Sequence, residues 1–139
     1  MSIGWSDLRK VADEQGSSFY VVDTGRFNQN YTLLLKAFRD QYIQTNIAYS
    51  YKTNYIPTFC RNVASNGGFA EVVSSMELKL ALRLGVLPGN IFFNGPYKDT
   101  LSSIDLLERG GIVNIDCIEE LERLEAYFTQ RESIASVGV

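Results

Sequence analysis

Short β-branched and aromatic runs alternate along the chain with stretches whose apolar positions recur every three or four residues, a pattern of strands and amphipathic helices in turn. Phe19–Asp23 (FYVVD), after Gly16-Ser17-Ser18, predicts a strand. Leu8, Val11 and Ala12 predict a short helix before it, and Phe27, Tyr31, Leu34, Leu35, Phe38 and Tyr42 predict a helix over Arg26–Tyr42. Four more strands are predicted at Asn46–Tyr51 (NIAYSY), Ala70–Ser74 (AEVVS), Asn90–Asn94 (NIFFN) and Ile112–Asp116 (IVNID), and a last apolar run, Ile134–Val139 (IASVGV), follows. Helices fill the gaps. Pro57 fits the first turn of one that Gly67-Gly68 stop. Ser74 with Glu77 three residues on is a capping box for a helix that Gly85 ends. Asp99 caps another, ended by Gly110-Gly111. Asp116 with Glu119 is expected to open the last helix, whose apolar face is Ile118, Leu121, Leu124 and Phe128.

The repeat is even. Ser50, Val72, Phe92, Asn114 and Ser136, one from the middle of each run, are spaced 22, 20, 22 and 22 residues apart. Uniform βα units with short loops imply parallel strands joined by right-handed crossovers. Two architectures fit, a doubly wound sheet and a (β/α)8 barrel. A doubly wound nucleotide binder often carries a glycine fingerprint after its first strand. Here Tyr51-Lys52-Thr53-Asn54 stands in that place and there is no G-x-G-x-x-G, which favours the barrel. A complete barrel takes about 250 residues. The 139 residues hold about five of eight units and stop inside what should be a strand, so the expected fold is the first half of a TIM-type barrel. Residues 1–25 are expected to stand apart from the barrel portion, 26–139.

Composition narrows the function. Hydrophobic residues at 45% and charged residues at 21% fit a folded chain rather than a disordered one. A net charge of −3 lowers the rank of nucleic-acid binding. No apolar run approaches the roughly 20 residues that span a bilayer, and Met1–Lys10 lacks a basic start followed by an apolar stretch, so neither a membrane partner nor a signal peptide is expected. Two cysteines, Cys60 and Cys117, are too few for a disulfide scaffold, and free thiols in a reducing cytoplasm are the expectation. With no histidine, neither a Ser-His-Asp triad nor a His-ligated metal site can be assembled from this chain.

Active sites of such folds lie at the carboxyl ends of the strands. The polar residues there are Lys52 and Asn54, Ser74 and Ser75, Asn94, and Asp116. Alternation puts Ile47, Tyr49 and Tyr51 on one face of the first of these strands and Ala48, Ser50 and Lys52 on the other. If the small side faces the barrel centre, Lys52 projects into the mouth. Asn114 and Asp116 share a face, and Glu71 lies one place into an otherwise apolar strand, where a polar group needs a partner. Plainer readings stand beside these. Ser74 and Asp116 serve as helix caps before anything else, the tyrosine stripe packs against helices, Cys60 is a packed thiol, and the run Glu119, Glu120, Glu122, Arg123, Glu125 is a solvated helix face.

The ordered segments Phe19–Asp23, Tyr49-Ser50-Tyr51-Lys52-Thr53-Asn54, Glu71–Leu78, Phe92–Lys98, Val113–Asp116 and Ile118–Leu121 together resemble the amino-terminal half of the fold-type-III pyridoxal-phosphate decarboxylases, the group of diaminopimelate, ornithine, lysine and arginine decarboxylases. The likeness runs from about Leu8 to Val139, and Y-x-x-K-x-N in its strand context is its most specific element. The resemblance implies an alanine-racemase-like barrel and roles by position. Lys52 would form the internal Schiff base with pyridoxal 5'-phosphate. Glu71 would stand near that lysine, where the family usually has the shorter aspartate, and Asn94 would lie in a segment that approaches the cofactor. Phe19–Asp23 would join a carboxyl-terminal β-domain. The substrate would be an amino acid and the assembly a homodimer with shared active sites. The family's histidine over the cofactor ring, phosphate-binding glycine loop, acid on the pyridine nitrogen, and the cysteine and aspartate given across the dimer all fall beyond Val139 in the family order. The 139 residues alone are therefore expected not to decarboxylate. The competing readings are a racemase or pyridoxal-phosphate carrier of the same superfamily, a non-catalytic regulatory homologue, and an unrelated α/β binding module.

Overall fold

A computed structural model describes residues 4–139, so the first three residues of the 1–25 segment lie outside the described residues. The elements, in chain order, are α1 (Trp5–Gln15), α2 (Thr24–Arg39), β1 (Ala48–Ser50), α3 (Pro57–Ser65), β2 (Phe69–Val72), α4 (Ser75–Arg83), β3 (Ile91–Phe93, entered through a 3-10 turn over Pro88–Asn90), α5 (Thr100–Glu108), β4 (Ile112–Val113) and α6 (Ile118–Gln130). All three strand pairs are parallel, and the spatial order β1-β2-β3-β4 is the chain order. A doubly wound sheet reverses its strand order at a switch point. An unreversed order instead advances one strand at a time around a curling sheet, as in the first part of a barrel.

The two faces of the sheet differ sharply. Tyr51, Ala70, Val72, Ile91, Phe93 and Val113 are all but completely buried on the helix side, with Cys60 of α3, Leu78 and Ala81 of α4, Ile104, Leu106 and Leu107 of α5, and Leu124 of α6. The alternate residues Ser50, Phe69, Glu71, Phe92 and Asn94 are only half-buried. Across that face the Phe69 and Phe92 rings lie 5.2 Å apart. Helix α2 docks separately: Phe27, Tyr31 and Leu35, at i, i+4 and i+8, pack on Val63 of α3 and on Ile47 and Tyr49.

The ends follow the local chemistry. The Ser74 hydroxyl accepts from the Glu77 N–H at 3.3 Å and the Asp99 carboxylate from the Ser102 N–H at 2.9 Å, as the sequence predicted. Several expectations need correction. Phe19–Asp23 forms no strand; Tyr20 is fully exposed, and Asp23 instead caps α2 by accepting the Arg26 N–H at 2.8 Å. A β-prone run without a neighbouring ladder leaves its backbone groups to solvent. Helix α2 stops at Arg39 rather than Tyr42, and the Arg39 guanidinium donates to the Thr45 carbonyl and the Asn46 side chain, tying down the next loop. The cap of α6 is Cys117, not Asp116, and no side chain bonds there. Its apolar face is narrower than predicted: Leu124 is buried, but Ile118 and Leu121 are exposed. Of the last apolar run, only Gly138 pairs with the sheet, through one parallel bridge to Asn114.

Candidate functional site at the strand carboxyl ends

Because the strands are parallel, Lys52, Glu71, Asn94, Asn114 and Asp116 all come to the same end of the sheet. Lys52 follows β1 directly and is exposed. The turn that carries it is fixed by its neighbours. The Ser50 carbonyl accepts both the Thr53 N–H at 3.3 Å and the Thr53 hydroxyl at 2.8 Å, and the Asn54 side chain accepts the Ile56 N–H at 3.0 Å, delivering the chain to Pro57 at the start of α3. Alternation does the rest. Tyr51 is driven into the helix-side core and Ser50 takes the opposite face, with Lys52 in the turn just past the strand. Burial, with the Cys60 thiol alongside, pushes the Tyr51 hydroxyl well above its ordinary ionisation range, so that residue remains a neutral wedge behind the lysine.

A polar row crosses the same face of the sheet. Glu71 stands opposite Ser50 in register. The Asn94 amide donates to the Glu71 carboxylate at 3.1 Å, and the Asn114 amide donates to the Asn94 carbonyl oxygen at 2.6 Å. The two amides thus form a relay that runs from Asn114 through Asn94 to Glu71. At the far end Gly138 lies against Asn114 so closely that a Cβ there would overlap the asparagine oxygen. Ser50 adds a buried hydroxyl oxygen with no partner.

Two other groups set the shape of this rim. The Lys98 side chain is fully buried; its ammonium donates to the Gly95 carbonyl at 2.6 Å and pairs with Glu120 at 3.0 Å. The Glu120 carboxylate also accepts the Asp116 N–H at 3.0 Å. Glu120 thus leaves the solvated run to which its sequence neighbours assign it. Units β2–α4 and β4–α6 share one device: Ser74 and Cys117 have nearly the same backbone angles, and the glutamate three residues after each, Glu77 or Glu120, receives the N–H of the residue before the cap. A glutamate three past the true cap was a readable signal, masked because cysteine is not a capping residue.

The structure brings Glu71 and Asn94 into direct contact and sets Lys52 at the same end of the sheet, two residues past Ser50, the register partner of Glu71. It leaves the other candidates outside this group. The Asp116 carboxylate is exposed, Ser74 is a cap, Ser75 accepts from the Ser102 hydroxyl at 3.0 Å, and Cys60 is a buried packed thiol. Among the described residues no group of metal-ligating side chains is present. An amine side chain, a carboxylate and an unpartnered hydroxyl at the strand ends suit an aldehyde ligand with polar substituents better than a metal ion.

Fold and rim together describe the front portion of a cofactor-binding barrel. The family model described as "Pyridoxal-dependent decarboxylase, pyridoxal binding domain" matches residues 29–138, and the chain belongs to that family; pyridoxal phosphate is the cofactor of this domain. Among named relatives, the chain is 31% identical over 122 residues to the diaminopimelate decarboxylase of Methanothermobacter thermautotrophicus, covering 88% of this chain and 28% of the relative. It is 32% identical over 120 residues to that of Methanocaldococcus jannaschii, covering 83% and 27%. It superposes on the crystal structure of the M. jannaschii enzyme in co-complex with L-lysine with a TM-score of 0.79 at 29% identity, covering 94% of this chain and 31% of that one. The Helicobacter pylori diaminopimelate decarboxylase shares the fold, with a TM-score of 0.83 at 22% identity. The chain spans less than a third of the length of these relatives. Among the described residues no helix is long and apolar enough to cross a membrane.

Proposed function

We propose that Lys52 is the amine that bonds the aldehyde of pyridoxal phosphate, and that this chain supplies the first part of the barrel of a pyridoxal-phosphate-dependent amino-acid decarboxylase. The carrying observation is the Glu71–Asn94–Asn114 row at the strand carboxyl ends, the same end at which the turn after β1 carries Lys52. Glu71 and Asn94 are the cofactor-side polar groups: the carboxylate holds negative charge near the amine, and the asparagine amide orients it. When bound, the cofactor supplies the electron sink that receives the pair released as the substrate's α-carboxylate leaves. Lys52 must be neutral to bond the aldehyde, and afterwards it is the group placed to move a proton.

The substrate class is an α-amino acid. The named relatives favour a diaminopimelate-type substrate, and the M. jannaschii structure holds L-lysine. The working assembly is a homodimer in the cytoplasm. Residues 1–25 belong with a β-rich domain and residues 26–139 with the barrel. The 139 residues alone are inactive in decarboxylation, because a cofactor held by one amine lacks a phosphate anchor. The test is incubation of the chain with pyridoxal phosphate, borohydride reduction and peptide mass mapping. A pyridoxyl mass confined to the Lys52 peptide supports the reading, and label spread evenly over the surface lysines overturns it.

A further inference from the structure

The ion pair Lys98–Glu120 lies outside the cofactor-side group, yet it is the most deeply buried charge pair among the described residues. Two charges withdrawn from water lose much of their attraction to desolvation, so such a pair is a poor source of stability; an apolar pair of similar volume often serves as well or better. What an apolar pair cannot do is hold a particular carbonyl and a particular N–H. Lys98 holds the Gly95 carbonyl, and Glu120 holds the Asp116 N–H. Gly95 is the residue after Asn94, and Asp116 is two residues past Asn114. Gly95 sits at φ +102°, a left-handed conformation open to glycine, and a Cβ there would meet Val73 at 3.3 Å, so the backbone turn just after the asparagine needs glycine.

We infer that Lys98 and Glu120 are positioning residues, bolting the β3–α5 and β4–α6 loops together so that the asparagine ladder reaches Glu71 in register. The ladder depends on that register. The 2.6 Å amide contact between Asn114 and Asn94 spans two strands; past it the ion pair grips Gly95 and Asp116, and the Ile115 N–H donates to the Gly138 carbonyl. This inference rests on the reading of Glu71 as a cofactor-side group, but the ladder itself is measured without the cofactor.

The test is a near-isosteric neutral pair, Lys98→Met with Glu120→Gln, in the full chain. Unfolding by denaturant should be little changed. The side-chain amide resonances of Asn94 and Asn114 should move to the values of exposed asparagines. The rate of pyridoxal-phosphate incorporation at Lys52 should fall about tenfold, the factor of one net hydrogen bond. Asn114→Ala should slow incorporation similarly, and the combined variant should be no slower than either, because both break one device. Unmoved asparagine resonances, or rate losses that multiply, overturn the inference. If the neutral pair fails to fold, Glu120→Gln, which keeps an acceptor for the Asp116 N–H, carries the same measurements. Absence of label at Lys52 in the parent chain refutes the proposed function instead, and the resonances still decide the ladder.

Discussion

The two faces of one four-stranded sheet obey different rules. On the helix side Val72, Ile91, Phe93 and Val113 are sealed. On the other side Glu71, Asn94 and Asn114 form a hydrogen-bonded row between the Phe69–Phe92 pair and the rim. Alternation along each strand delivers both faces from the same few residues. One face supplies the stability, and the other is free to carry chemistry because it supplies little of it.

The comparison breaks most readily at Phe93. Phe93→Ala opens a cavity behind the sheet and should cost about 3–5 kcal/mol, read by denaturant unfolding. A cost below that of a surface substitution would mean that the helix face is not the core. Next is Asn94→Ala, on the other face of the same strand. It deletes the bonds to Glu71 and Asn114 at a half-buried position and should cost about 1 kcal/mol, while slowing pyridoxal-phosphate incorporation at Lys52. Equal stability losses for the two substitutions would erase the distinction. Asp99→Ala removes the α5 cap, also about 1 kcal/mol. The hydrogen bonds from Ser102 hold the Asp99 carboxyl below its usual range. Its contribution is therefore complete above the ordinary carboxylate range and disappears as pH falls through the lower folded value. The acid limb of the stability profile should flatten in Asp99→Ala. The smallest effect is at the exposed Lys36–Asp40 pair on α2, where Lys36→Ala should cost no more than about 0.5 kcal/mol and less in high salt.

Much of this contrast was legible in the residues. Alternation in Ile47–Tyr51 separated the tyrosine stripe from Ser50, and the even spacing of the βα units implied parallel strands and one common rim. Capping by Ser74 and Asp99 was local chemistry and was readable as such. The failures were tertiary. The FYVVD run has strand composition, but composition supplies no ladder partner. Glu120 looked like one more charge on a solvated helix because its partner, Lys98, lies 22 residues earlier and no periodicity links them. The asparagine ladder was half-visible: Asn114 was placed on the face it shares with Asp116, but its bond to Asn94 depends on the stagger between strands, which only coordinates reveal.

The proposed role of residue 52 is that its amine, at the carboxyl rim of the sheet, is the one an aldehyde cofactor finds. The direct measurement is borohydride trapping of pyridoxal phosphate on the parent chain and on Lys52→Ala, followed by peptide mapping. The account predicts one dominant pyridoxyl-bearing peptide containing residue 52, formed faster as pH rises because only the neutral amine reacts, and its complete loss in Lys52→Ala. Equal total labelling of the two proteins would contradict it.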